Sequence, residues 1–96
     1  MNTKLIKFTT GEETIFEIVN DARPDSIIVK NGLTMVFNGS SIQAIPFSVN
    51  LKDGTELEIS RDNIIFITDP RDDLGEQYES QFSTIIQPPK GIVTQL

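Results

Sequence analysis

The chain contains no cysteine, so neither disulfides nor thiol chemistry contribute to it. It contains no histidine either, which removes the commonest general base and the commonest metal ligand. No apolar run approaches the roughly 20 residues of a membrane span, and the first residues lack the apolar core of a signal peptide. A cytoplasmic protein with no membrane partner is therefore expected. Positive charge is scarce: 8 lysines and arginines face 14 carboxylates, a net charge of −6. That balance disfavours non-specific binding to nucleic acid, which depends on neutralising phosphates. Catalytic patterns are missing as well. There is no Ser-His or Cys-His pair, no phosphate-cradling glycine loop and no metal-ligand cluster. The paired acids Asp72 and Asp73 lie at a helix start, where the helix dipole accounts for them. The expectation is a protein that is not an enzyme and uses no cofactor or metal.

What is present is a succession of short strand patterns, and 96 residues make a single domain spanning 1–96. Lys4 to Thr9 reads as a first strand, and Thr10-Gly11 supplies a turn in which glycine takes positive φ at little cost. Glu13 to Asn20 has too many apolar residues for clean alternation, which predicts a bent strand covered on both faces. Residues 20–25 form a loop around Pro24. Ile27 opens a third strand, followed by two Asn-Gly pairs. Asn31-Gly32 is read as a bend inside one long curved strand, and Asn38-Gly39 as the true hairpin turn. Asn38-Gly39-Ser40 also matches a glycosylation sequon, but with no export signal it reads as turn. Ile42 to Val49 returns as a strand whose Pro46 marks an edge. Thr55 to Ile59 alternates, with Leu57 and Ile59 inward and Glu56 and Glu58 outward.

The stretch from Ile59 to Ile67 is the expected keystone. Ser60-Arg61-Asp62-Asn63 is a polar break, and Ile64-Ile65-Phe66-Ile67 is the densest apolar run, suited to a strand buried on both faces. Together they predict a hairpin. After it the period changes: Asp69 as N-cap, Pro70 at the first helical position, then Leu74, Tyr78 and Phe82 every fourth residue. A helix over about 70–82 is expected, its apolar stripe docked on the sheet and weakened by Gly75. Residues 83–96 read as a tail, where Pro88-Pro89 forbids regular structure and Gly91-Ile92-Val93 could add a short strand.

Ile59-Ser60-Arg61-Asp62-Asn63-Ile64-Ile65-Phe66-Ile67 resembles the second signature of the Sm/LSm RNA-binding family. Ile6 to Gly11 is similar to that family's first strand and turn, and Asp21 and Asp25 are spaced like its acidic and base-reading loop positions. Thr10 to Glu13, Pro46-Phe47, Glu56 to Ile59, Ile65 to Pro70, Leu74 and Gln77-Tyr78 look more specifically like small Sm-like proteins of marine cyanobacterial phages. The resemblance covers roughly residues 4–82. Departures stand at Ser60 and Arg61, where the family motif has Arg and Gly, at Arg23 and Asp25 in the loop, and in a helix that follows the strands instead of preceding them.

This resemblance implies a mainly β fold: a small, strongly bent, five-stranded antiparallel SH3-like barrel over residues 4–68, with one C-terminal helix. It implies a homo-oligomeric ring in the cytoplasm of a phage host, binding RNA or single-stranded DNA in phage or host nucleic-acid processing. Arg23, Asp25, Arg61, Asp62 and Asn63 are the implied nucleic-acid residues. Leu57, Ile59, Ile64, Ile65, Phe66 and Ile67 are the expected oligomer interface, because an apolar edge without a blocking charge invites pairing. A structural or adaptor ring, with acidic helices contacting a protein partner, is the other reading. On that reading Arg23 and Arg61 are solvated loop residues paired with Asp21, Asp25 or Asp62.

Overall fold

The computed structural model describes residues 1–82, so the expected tail and its short strand at 91–93 lie outside the described residues. Six strands precede one helix: β1 Thr3–Phe8, β2 Glu13–Asn20, β3 Ser26–Asn38, β4 Ser41–Pro46, β5 Leu57–Ser60, β6 Ile64–Thr68 and α1 Asp72–Phe82. A 3-10 turn, Arg61–Asn63, separates β5 from β6.

All pairings are antiparallel, and the sheet runs β4-β3-β2-β1-β6 with β5 also on β3. β3 is the long bent strand that the sequence predicts. Its first half pairs with β5, from Ser26↔Ser60 to Val29↔Leu57, and its second half with β4, from Leu33↔Pro46 to Asn38↔Ser41. The bend falls at Asn31, whose φ is 56°, and at Gly32, where a Cβ would lie 2.5 Å from the Phe16 ring. β2 breaks register twice along β3, after Ile15 and after Ile18, and bends with it. Ile15 lies in one apolar cluster, Phe16 and Ile18 in another, so both faces of β2 are covered, which accounts for its excess of apolar residues.

Ile6, Phe8, Phe16, Ile18, Ile27 and Val29 form the first of these clusters, flanked by Leu57, Ile59, Ile64 and Ile67. Ile15, Leu33 and Tyr78 form the second, flanked by Leu5, Met35, Leu74 and Phe82, and this is how α1 docks. Tyr78 is 2% exposed and donates its hydroxyl to the Asn31 carbonyl at 2.6 Å.

Three expectations are corrected. The sheet is neither closed into a barrel nor strongly curled: among the described residues no pairing joins β6 to β4 or β5. The segment from Leu57 to Thr68 is not a hairpin. β5 bonds to β3 and β6 bonds to β1, with Thr9 N–H donating to the Asn63 carbonyl, so the 3-10 turn carries the chain from one strand's edge to another's. Finally, β6 is an edge strand with Ile65 and Phe66 exposed, instead of one buried on both faces. The helix begins at Asp72, two residues after its predicted start, with Gly75 N–H bonded to the Arg71 carbonyl.

Candidate binding surfaces: an arginine junction and two open edges

The loop between β2 and β3 and the 3-10 turn meet, so Arg23 and Arg61 are brought together from distant parts of the chain. Ser60 caps the turn by accepting from the Asp62 N–H at 3.2 Å. Arg61 then reaches across to the loop with three donors. Its backbone N–H bonds to the Asp25 carbonyl at 2.9 Å, its Nε to the Arg23 carbonyl at 3.1 Å, and its Nη2 to the Asp21 carbonyl at 2.8 Å. Asn20 Oδ1 accepts from the Ala22 N–H at 2.8 Å and tightens the same loop.

Arg23 points the other way. Its Nη1 lies 3.1 Å from Glu58 Oε2, which also accepts from Ser26 Oγ at 2.8 Å. Asp25, Asp62 and Asn63 are exposed on the rim of this junction. Asp21, Asp25, Glu58 and Asp62 all belong to the segments that meet here, and Glu58 is the one whose carboxylate is bonded to a guanidinium. The pairing partner of Arg23 is Glu58, one strand away, instead of the neighbouring aspartates.

Of the six expected interface residues, Leu57, Ile59, Ile64 and Ile67 pack against the protein's own core, while Ile65 and Phe66 are exposed. A larger apolar surface lies on the opposite edge, and the strand patterns alone did not single it out. β2 covers β3 only as far as Met35, so, among the described residues, 36–43 overhang as a hairpin paired only with itself. Every residue of β4 is exposed; Phe37 stands 72% exposed opposite Ile42, and Ile45, opposite Thr34, lies on the other face of the arm. The sequence does carry a signal for this arm: from Asn31 to Leu51 there is no charged side chain. Phe47, at its base, packs against Phe8 and Phe16 with ring centroids 5.7 and 5.2 Å away.

The outer face of α1 is acidic. Asp72, Asp73, Glu76 and Glu79 are exposed, although Arg71 binds Asp73 at 2.6 Å and Thr3 donates to Glu79 at 3.2 Å. The Arg71 guanidinium holds the Asp73 carboxyl below its ordinary range, chiefly by hydrogen bonding. Among the described residues no group of three or more acidic side chains is arranged to hold a metal ion, and no helix is long and apolar enough to cross a membrane.

No family model and no curated protein matches this chain. The Sm-like resemblance thus gains nothing from comparison, and the open sheet removes the closed barrel that it implied. The ring, RNA-binding and phage attributions lose that likeness as their ground.

Proposed function

We propose that this protein is a self-associating adaptor, in which the uncharged β3–β4 arm of one copy pairs with β6 of the next and the assembly presents its acidic helices to a protein partner. The observation that supports this is that, among the described residues, the sheet edges β4 and β6 are both unpaired and each carries exposed large apolar side chains. An exposed, uncharged edge is a template for another strand, and soluble proteins ordinarily blunt such edges with charge. Phe37 and Ile42 on one face of the arm, Ile45 on the other, and Ile65 and Phe66 on β6 leave apolar side chains exposed at both edges. Size-exclusion chromatography with light scattering tests it: a mass above the monomer at micromolar concentration is expected, and a monomer there rules the reading out.

A second reading has its own observation, the convergence of Arg23 and Arg61. Repeated through an assembly, this junction is a site for single-stranded nucleic acid, since guanidiniums both stack on bases and bond phosphates. Its four carboxylates keep the affinity low. An oligonucleotide shift assay over a salt series separates the readings, because phosphate contacts give a negative slope of about 0.7 per contact on single strands.

A further inference from the structure

We propose that Arg61 is a positioning residue that bolts the 21–25 loop to the 3-10 turn, so that Arg23 alone is the guanidinium offered to phosphate. The second half of this inference rests on the nucleic-acid reading; the first half does not. Arg61 donates to the carbonyls of Asp21, Arg23 and Asp25, every second residue of the loop, from its side chain to the first two and from its backbone N–H to the third. The Nε and Nη2 donors are one of the guanidinium edges that grips an anion with two parallel bonds. Here that edge is occupied by backbone. Two carbonyls held by one rigid planar group fix a single loop conformation, and Pro24 beside them restricts φ as well.

Arg23 is placed differently. Its side chain is 53% exposed, and its ion pair is with Glu58, a carboxylate that Ser26 also serves. A phosphate that displaces Glu58 from Arg23 leaves that carboxylate with its Ser26 bond and with water. The exchange costs little, whereas pulling Arg61 out of its place leaves loop carbonyls to be rebonded.

The experiment compares Arg61→Ala, Arg61→Lys and Arg23→Ala in the full chain with two readouts. The first is the backbone amide order parameter at residues 21, 22, 23 and 25, measured without ligand. Wild type and Arg23→Ala should stay near the rigid value of about 0.85, and both Arg61 variants should fall below about 0.6. The lysine variant fails with the alanine one because an ammonium is a point donor and lacks the planar fork. The second readout is binding of a short oligothymidylate against salt. Arg61→Lys should lose as much affinity as Arg61→Ala, on the order of tenfold, although it keeps the charge. An unchanged order parameter in Arg61→Ala overturns the positioning role. Wild-type affinity in Arg61→Lys overturns it too, by showing that charge alone suffices. If wild type binds no oligothymidylate, the role of Arg23 falls with the nucleic-acid reading, and the order parameters still decide the role of Arg61.

Discussion

At Gly32 a single missing methyl group decides how closely two parts of the sheet meet. A Cβ there would stand 2.5 Å from Cε1 of the fully buried Phe16 and 2.8 Å from Cβ of the exposed Phe47. Gly32→Ala must therefore push Phe47 and the start of its loop outward. Overpacking of this kind costs about 1–3 kcal/mol, to be read as a lower urea midpoint. Tyr78 shows the polar counterpart. Its buried hydroxyl bonds to the carbonyl of Asn31, a non-glycine residue at positive φ, and so joins helix to bend. Burial, with help from the charges of Glu17 and Glu79, raises the phenol well above its ordinary value of 10.0. The folded state thus keeps its proton at a pH where the unfolded chain has lost it. Stability that Tyr78 contributes is complete below pH 10.0 and declines as pH rises beyond it. Tyr78→Phe should cost about 1 kcal/mol at neutral pH from the lost hydrogen bond. The gap between variant and wild type should narrow above pH 10.0, which paired denaturation curves would show.

The strands and turns are the part of this fold that is legible in the sequence. Alternation locates β1 and β5, the crowding of apolar residues marks the bent β2, and the two Asn-Gly pairs divide between a bend and a turn. The four-residue spacing of Leu74, Tyr78 and Phe82 finds the stripe of α1, with Tyr78 fully buried between two half-buried neighbours. Pairing partners are not legible, because a period says which face a residue takes and nothing about which strand lies alongside. So β5 and β6 read as a hairpin, when a Ser60-capped turn actually hands the chain from β3 to β1. The carbonyl bonds of Arg61 are equally hidden, since backbone acceptors leave no residue-type pattern. For α1 the expectation is sharp: Gly75 has negative φ and room for a methyl group, its Cβ lying 3.4 Å from the Pro70 ring. Gly75→Ala should raise stability by about 0.5–1 kcal/mol, detected as a higher melting temperature. An unchanged or lower one would mean that the Pro70 contact outweighs helix propensity.

For the whole molecule the decisive property is how charge is distributed. A chain with net charge −6 places none of its charged side chains from Asn31 to Leu51, and that stretch contains the overhanging arm and the β4 edge. If β4 of one copy pairs with β6 of another, a lysine on either edge should block it, because a strand edge cannot bury an ammonium cheaply. Ile45 and Ile65 are the positions to change, at 48% and 58% exposed. Substitutions at sites this open should shift monomer stability by only about 0.5 kcal/mol, so loss of mass reports assembly and not unfolding. Ile45→Lys and Ile65→Lys should each be monomeric by light scattering where wild type is not. The mixture carries the stronger test. Ile45→Lys keeps β6 intact and Ile65→Lys keeps β4 intact, so equal amounts of the two should form a one-to-one dimer that grows no further. If copies instead joined through like edges, one variant would remain a dimer alone and mixing would add nothing. A mixture that stays monomeric would likewise refute the β4-to-β6 contact, leaving the apolar arm to be covered by a different protein.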